Sequence, residues 1–492
     1  MSGEIITNAE MRAIDAGAAA AGVPTRTLME HAGKAVADAV AARFERGPVL
    51  VACGPGNNGG DGWVAARLLM ERGWPVRVET LVPRSDLRGD ARDAASRFVG
   101  AVAEAPGDLG ADVFIDAMFG GGLSRPLEER AADLAAALSR TPERVIAVDV
   151  PSGLDGDTGK PLGGACVKAR ASVTFERKKA AHVLYPGRGF CGEVVLCPIG
   201  VPAEVIAAQG IRLWENEPSL WQALFPWPSP QAHKHARGHV MVASGGAGRT
   251  GAARLAARTA LRAGAGLVTV LSPGNAMMEN AAHLTAIMLR RADDEAQWVD
   301  AARHASALVI GPAFGVEEKH RAVLTAVLGA DQRPPCVLDA DALTLLAPLS
   351  APLNARDVLT PHIGEFGRLF PGLLESAQSK IEATREAAKR AGAVVLLKGP
   401  DTVIAAPDGR AIVNTKGSPF LATAGSGDVL AGIIAALIAQ GMASFEAAAA
   451  GAWLHGAAGE AFGAGLISED LPDLLPRVLD TLAPAHLKRV SE

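Results

Sequence analysis

The run Ala424-Gly425-Ser426-Gly427-Asp428 stands directly ahead of the apolar stretch VLAGIIAALIAQ, which begins at Val429. In that stretch Leu430, Ile433, Ile434 and Leu437 recur at i, i+3, i+4 and i+7, the spacing of a buried helical stripe. Glycines ahead of a helix let successive backbone N–H groups converge on an anion, and the helix N-terminus adds partial positive charge. A carboxylate inside such a cradle repels phosphate. Asp428 therefore makes chemical sense as a base on a hydroxyl about to be phosphorylated, with Gly425, Ser426 and Gly427 holding the moving phosphoryl group.

A second glycine-rich run, Gly54-Pro55-Gly56-Asn57-Asn58-Gly59-Gly60-Asp61-Gly62, follows the β-rich PVLVAC (48–53) and opens a helix. Its first six residues satisfy G-x-G-x-x-G, and Glu79 lies at the end of the next strand about 20 residues on, as a dinucleotide fold would have it. Taken alone the pattern is equally a tight strand-to-helix turn without ligand. The amides of Asn57 and Asn58 and the carboxylate of Asp61 point to something besides pyrophosphate, such as a sugar, an amide or a hard cation. Two more strand ends carry polar clusters, Asp116 ahead of FGGGLSRPL and the run Asp149-Val150-Pro151-Ser152-Gly153-Leu154-Asp155. Carboxyl ends of neighbouring parallel strands form a ligand crevice, where Asn58, Asp116, Asp149 and Ser152 can converge. Each aspartate taken singly is as readily a helix N-cap.

The elements that must position these residues alternate along the chain. Strands are expected at 48–53, 75–81, 112–119, 144–150, 172–175 and 192–199, with helices at 8–20, 26–45, 64–73 and 129–140. The pattern dissolves over 200–232, where Pro218, Pro226, Pro228 and Pro230 cluster, and the junction falls near residue 209. Strands resume at 238–244, 267–273, 307–311, 336–339, 357–360 and 394–399, with a helix at 252–264 and a hairpin over 403–413 turned at Asp408-Gly409. Such alternation implies parallel sheets with helices on both faces, so the fold class is α/β, two tandem three-layer domains at 1–208 and 209–492.

The 492 residues are 49% hydrophobic and 21% charged, which describes a soluble globular protein. A net charge of −5 and a single tyrosine, Tyr185, argue against a nucleic-acid partner or an anionic membrane surface. Five cysteines without CxxC spacing read as small buried hydrophobes, not as a zinc site or disulfide framework. Neither a signal peptide nor a span of roughly 20 apolar residues is evident. A cytoplasmic homo-oligomer is expected.

NNGGDG, DAMFGGGLSRPL and AVDVPSGLDGDTG together resemble the YjeF N-terminal domain, the NAD(P)H-hydrate epimerase, a Rossmann-like fold, across essentially residues 1–205. The resemblance implies substrate contacts at Asn57, Asn58, Gly59, Gly60 and Asp61, again at Gly120, Gly121, Gly122, Leu123, Ser124, Arg125 and Pro126, and at Asp149. It implies a potassium ion near Asn58, Asp116 and Ser152, and Asp149 is read as the acid–base residue of epimerisation. Lys179 matches a family lysine, but Ala181 stands where glycine is usual, and no role is assigned to that lysine.

His233-Lys234, the segment GHVMVASGGAGRTGAARLAARTALRAG, GPAFG (311–315), LDADAL (338–343), LTPHIGEFGRL (359–369), LLKGPDT (396–402) and ATAGSGDVLAGI resemble the ADP- or ATP-dependent NAD(P)H-hydrate dehydratases, which are ribokinase-like. Ala424 departs from the usual glycine there without removing an amide. The resemblance implies nucleotide contacts at Lys398, Gly399, Pro400, Asp401, Thr402 and Gly427, and hydrate contacts at Ala253 or its neighbour, Gly315, His362 and Asp428. Asp339 and Asp341 are either helix caps or holders of water around Mg²⁺. Bacterial members lean to ADP as donor.

The tandem is chemically coherent, because hydration yields both C6 epimers and a stereospecific dehydratase repairs one of them. Three other readings compete with this one. A ribokinase-type small-molecule kinase fused to a dinucleotide-binding module fits GSGD but not TPHIGE or the first domain. A dinucleotide-binding regulator with a decayed site sits badly with Asn58, Asp116, Asp149 and Ser152 all in place. An NAD dehydrogenase rests only on the glycine pattern and Glu79.

Overall fold

The computed structural model describes residues 3–103, 110–351 and 353–487. The chain divides into two compact units, Met1–Leu213 and Trp214–Glu492.

In the first unit, helices α1 (Asn8–Ala20) and α2 (Thr25–Arg43) precede β1 (Val49–Cys53). Then follow α3 (Asn57–Glu71), β2 (Val76–Thr80), α4 (Gly89–Arg97), β3 (Ala101–Ala103), β4 (Val113–Ala117), α5 (Glu129–Leu138) and β5 (Val145–Val148). Strand β6 (Ala171–Phe175), the short α6 (Gly187–Cys191), β7 (Glu193–Cys197) and the short α7 (Ala203–Ala207) complete it. The sheet is parallel, in the order β3-β2-β1-β4-β5-β6-β7, so it winds outward from β1 and restarts beside it at β4. That is a Rossmann-like topology, whose ligand crevice lies at the carboxyl ends of β1 and β4. Every residue of β1 is buried, as a strand covered on both faces must be. Leu28, Val36, Trp63, Leu69 and Phe98 pack on one face, while Leu134 and Leu138 of α5 meet Leu50 and Phe114 on the other.

The second unit takes up β8 (Leu213–Glu215), β9 (His239–Ala243), α8 (Gly251–Arg262), β10 (Leu267–Ser272), α9 (Met277–His283), β11 (Met288–Arg291) and α10 (Glu295–Ala302). It continues with β12 (Ala307–Ile310), α11 (Glu318–Gly329), β13 (Cys336–Leu338), α12 (Asp341–Leu346), β14 (Val358–Leu359), α13 (Ile363–Leu369), α14 (Leu373–Ser376) and α15 (Lys380–Ala391). Last come β15 (Val394–Leu397), β16 (Thr402–Ala405), β17 (Ala411–Asn414), α16 (Ser426–Ala439), α17 (Ser444–Phe462) and α18 (Leu471–Leu482). Ten strands lie in the order β11-β10-β9-β12-β13-β14-β15-β16-β17-β8. The run from β11 to β15 is parallel and the β15–β16–β17 meander antiparallel, the mixed sheet of a ribokinase-like unit. Helix α16 is buried along most of its length against α8 and α17. Gly432 permits this, since a Cβ there would lie 2.4 Å from the carbonyl oxygen of Ala256.

Arg333 grips Asp357 with two parallel bonds of 2.7 and 2.6 Å, both side chains being buried, and Cys336 N and Asn354 N also donate to that carboxylate. Asp357→Ala should destabilise this unit by about 3–5 kcal/mol, the cost of an orphaned buried guanidinium. Chemical denaturation measures it.

The expected helices and longer strands are found close to their expected limits, and the hairpin turns at Asp408-Gly409. Strands β3, β8 and β11 and helices α4, α6, α7, α9 to α15, α17 and α18 were not anticipated: the strands are three or four residues long, and too short to show periodicity. Helix α3 starts at Asn57, so most of the second glycine-rich run is helix instead of open loop. Among the described residues, no helix is long and apolar enough to cross a membrane.

Candidate functional site

A cavity of about 480 Å³ opens at the carboxyl ends of β1, β4 and β5. Asn57, Asn58, Asp61, the loop from Gly120 to Arg125, and Asp149 line it, as the sequence leads one to expect. Asp149 follows β5 with φ 63°, a left-handed conformation that an aspartate tolerates better than most residues but that still costs energy. Its carboxylate is clamped. Lys179 Nζ lies 2.7 Å from Oδ1, Thr174 Oγ1 donates to the same oxygen at 3.0 Å, and Gly121 N donates to Oδ2 at 3.0 Å. Burial pushes Asp149 up, but the Lys179 ammonium and these bonds outweigh it and hold the group at about 2. His182 locks the arrangement from behind, accepting from Lys179 N through Nδ1 and meeting the Asp149 carbonyl through Nε2. Burial and the Lys179 charge keep that imidazole neutral, its pKa down at about 4.

Asp116 lies under the floor of the site, fully buried, and receives Ser152 N at 2.8 Å, Ser152 Oγ at 2.6 Å and Met118 N at 3.3 Å. These are neutral donors. Burial lifts the carboxyl to about 6 against them. The Asn58 side-chain oxygen and Asp149 Oδ2 each lie 3.0 Å from where a Cβ on Gly120 would sit, so only glycine lets that backbone enter the group. Asn58 lines the cavity, whereas Asp116 and Ser152 do not. This buried pair offers oxygen donors with no cationic side chain on Asp116 among the described residues, the donor type that suits a monovalent cation.

Gly59, Gly60 and Pro126 do not line the cavity. A Cβ on Gly59 would fall 2.0 Å from the Gly54 carbonyl oxygen, and one on Gly60 2.4 Å from Met29 Cε, so both glycines serve the seating of α3. Glu79, the residue a dinucleotide ribose would need, is 1% exposed and paired with Arg130 at 2.9 Å. Its position at the end of β2 is structural, which removes the basis for a dehydrogenase.

Sequence reasoning missed Asn8, Met11, Arg12 and Asp15, which all line the cavity from α1. It also left Lys179 without a role. The i, i+3, i+4, i+7 spacing of the four α1 residues was a readable signal, but nothing local says that this polar stripe faces a ligand.

In the second unit Asp428 sits in the first turn of α16, whose N-cap Gly425 has φ 88°. Burial and the neighbouring Asp339 raise Asp428 to about 7, against the pull of Lys398. Lys398 Nζ binds Asp339 Oδ1 at 2.8 Å and lies 3.9 Å from Glu365. A Cβ on Gly427 would lie 3.2 Å from Asp339 Oδ2 and 3.4 Å from Lys398 Nζ, so the α16 N-terminus, Asp339 and Lys398 form one cluster. Ser426 Oγ meets His455 Nε2 at 3.0 Å, and burial keeps that histidine neutral, at about 4. Asp339 is thus no helix cap, and Asp341 accepts Gly315 N at 2.8 Å.

His362 caps α13, its Nδ1 accepting from Gly364 N and Glu365 N, with the side chain 56% exposed. Beyond Lys398, Gly399 and Pro400 are exposed, while the buried Asp401 carboxylate is bound by Lys380 at 2.7 Å and Thr402 Oγ1 closes back on Gly399 O. Any contact from Asp401 to a nucleotide would have to come from its backbone. Ala253 is fully buried in the core and offers no surface, whereas Ala252 and Arg254 are half-buried. Among the described residues no group of three or more His, Cys, Asp or Glu side chains is placed to hold a metal ion.

Residues 25–181 match the family model described as YjeF-related protein N-terminus, and residues 240–479 match that of the NAD(P)H-hydrate dehydratases. The chain is 35% identical over 515 residues to the bifunctional NAD(P)H-hydrate repair enzyme Nnr of Moorella thermoacetica, with 97% of each chain covered. It is 34% identical over 518 residues to the enzyme of the same description from Thermosynechococcus vestitus, with 99% of each covered. A crystal structure of a ribokinase-like superfamily protein from Enterococcus faecalis, 25% identical, superposes with a TM-score of 0.51 over 55% of this chain and 96% of that one.

Proposed function

The chain belongs to the family of bifunctional NAD(P)H-hydrate repair enzymes, and on that premise we propose that its first unit epimerises the R and S hydrates while its second dehydrates the S form. It is an epimerase and an ADP-dependent dehydratase in one chain. The epimerase domain is read as 1–208 and the dehydratase domain as 209–492. The observation that carries the reading is Asp428, a carboxyl raised to about 7 at the N-terminus of α16 and beside the Asp339–Lys398 pair.

The hydrate carries a hydroxyl on C6 beside an enamine-type nitrogen, and hydroxide is a poor leaving group near neutral pH. Asp428 takes the hydroxyl proton as the oxygen attacks the terminal phosphoryl group of ADP. The amides around Gly425 and Gly427 stabilise charge on that group. The ring nitrogen then expels phosphate to give an iminium at C6, and loss of a proton from C5 to solvent restores the dihydropyridine, leaving AMP and phosphate. Lys398, released from Asp339, is suited to nucleotide phosphate, and His362 Nε2 to the hydrate's amide or ribose hydroxyls. Among the described residues no acidic cage is present, so Mg²⁺ would be brought in on the nucleotide phosphates, where Asp339 and Asp341 would hold its waters and the ion would neutralise phosphate charge.

In the first unit, Asp149 is the acid–base group and the Gly120–Arg125 loop with Asn57, Asn58 and Asp61 holds the substrate. Asn58, Asp116 and Ser152 would hold K⁺, which supplies the positive charge that the buried Asp116 lacks. A cytoplasmic homo-oligomer belongs to the same reading.

Mixed R and S NADH hydrate, incubated with the full chain, Mg²⁺ and ADP, should regain all of its dihydronicotinamide absorbance. Recovery should be fast for the S form and slower for the R form, and better with ADP than ATP. A stable phosphorylated product would instead favour a small-molecule kinase. Recovery halting once the S form is spent would remove the epimerase.

A further inference from the structure

Helix α1 lies before the segment that matches the YjeF model, yet it contributes one whole stripe of the first cavity. Asn8, Met11, Arg12 and Asp15 recur at i, i+3, i+4 and i+7, so they share a face, while Ile14, on the flank of that face beside Met11, is buried against Ile6, Ile206 and Ile211. The helix is held there by its own chemistry. Thr7 and Glu10 form a capping box at its start, and Asn8 Nδ2 donates to Gly121 O at 2.6 Å. Gly121 is the residue whose N–H holds Asp149 Oδ2, so one glycine ties α1 to the Asp149 carboxylate. Two helical turns beyond Asn8, Asp15 is half-buried in the cavity wall.

Epimerisation at C6 needs a donor and an acceptor of protons in one enclosed space. Asp149, paired with Lys179, is ionised before the reaction and is the acceptor. We infer that Asp15 is a catalytic residue of the epimerase, the proton donor that works with Asp149 on the same hydrate. This rests on the epimerase reading of the first unit. Asp149 takes the proton of the C6 hydroxyl as the C6–N1 bond breaks, and Asp15 protonates N1. The product is an open-chain C6 aldehyde with N1–H as an enamine. Rotation about C5–C6 presents the other carbonyl face. N1 then attacks C6, its proton returns to Asp15, and the new alkoxide recovers the proton from Asp149. Nothing is consumed, and C6 is inverted.

The surroundings suit the division of labour. Burial and the Asp149 charge lift Asp15 to about 6 although Lys179 pulls it down. Asp61, also in the cavity, is raised well above the usual range, first by burial and then by Asp149 and Asp15. Arg12 and Arg125 complete the charged groups of the cavity wall. Two carboxyls with pKa values driven apart define an acid and a base.

The test uses the full chain with mixed R and S NADH hydrate, ADP and Mg²⁺, reading the R phase after subtracting spontaneous epimerisation. Asp15→Asn should lower kcat of the R phase on the order of 10²–10⁴-fold with KM little changed and the S phase intact. In the wild type, R-phase kcat should fall as pH rises through about 6, because the donor must hold its proton, and the variant should lose that limb. Formic acid should partly rescue Asp15→Ala. Wild-type kcat in Asp15→Asn, or a raised KM alone, would overturn the assignment. If the variant does not fold, a wild-type R phase without the descending limb overturns it instead. A wild type without any R phase would bring down the epimerase reading itself, a result distinguishable from all of these.

Discussion

Replacing Asp428 with asparagine slows dehydration of the S hydrate on the order of 10²–10⁴-fold, the usual worth of a positioned general base, and leaves R-to-S epimerisation untouched. The wild-type rate climbs with pH through about 7, since Asp428 accepts a proton only when ionised, and this limb vanishes in the variant. Burial raises the limb first, and the neighbours adjust it. Asp339 repels the Asp428 charge, and it also occupies Lys398, whose ammonium favours that charge. Asp339→Asn removes the repulsion and frees the lysine, so both effects move the limb to lower pH. Stability runs the other way from activity. The folded pKa of Asp428 lies above its unfolded value, so its contribution is complete at low pH and is lost as pH rises through about 7. Asparagine cannot ionise, and the variant should melt no lower than the wild type above that pH. Pre-steady-state absorbance recovery with purified S hydrate measures the rate, and a thermal melt excludes unfolding. An Asp428→Asn enzyme with wild-type turnover would remove the base from the mechanism.

Asp149→Asn should abolish repair of the R hydrate to a similar extent while repair of the S hydrate continues. The structure adds a complication of known sign. Lys179 is 2% exposed and among the described residues pairs with Asp149 at 2.7 Å, so the single variant strands a buried ammonium and costs the first unit about 3–5 kcal/mol. A loss of R repair in that variant alone would not distinguish chemistry from unfolding. The double variant Asp149→Asn with Lys179→Met removes both charges. It should regain most of the stability without regaining R repair. Thermal denaturation with the two-phase absorbance assay reads both quantities on one sample. Unimpaired R repair in either variant would show that Asp149 only orients the loop through Gly121.

The amino-acid sequence by itself determined the α/β class, the tandem of two units, most of the strands, the first-unit helices α1, α2, α3 and α5 with α8 and α16 of the second, and the motifs at strand ends. These are local properties: β1 is a continuous apolar run, α16 carries its stripe within a single window, and Asp408-Gly409 is a turn wherever it occurs. The candidate residues Asn58, Asp61, Asp149 and Asp428 were legible because glycine-rich runs announce themselves without any partner. What each residue does to the next was not legible. Asp149 meets Lys179 across 30 positions, Asp339 meets Lys398 across 59, and Glu79 is sealed by Arg130 from across 51. Those pairings follow from which strand ends the sheet order brings together, and no short window contains that information. The same holds for α1, read as a helix but not as a cavity wall. Ionisation states were the last to be decided, since burial and neighbouring charge set them. Three aspartates of one cavity therefore differ in character, Asp149 held at about 2, Asp15 lifted to about 6 and Asp61 pushed well above the usual carboxylate range by burial.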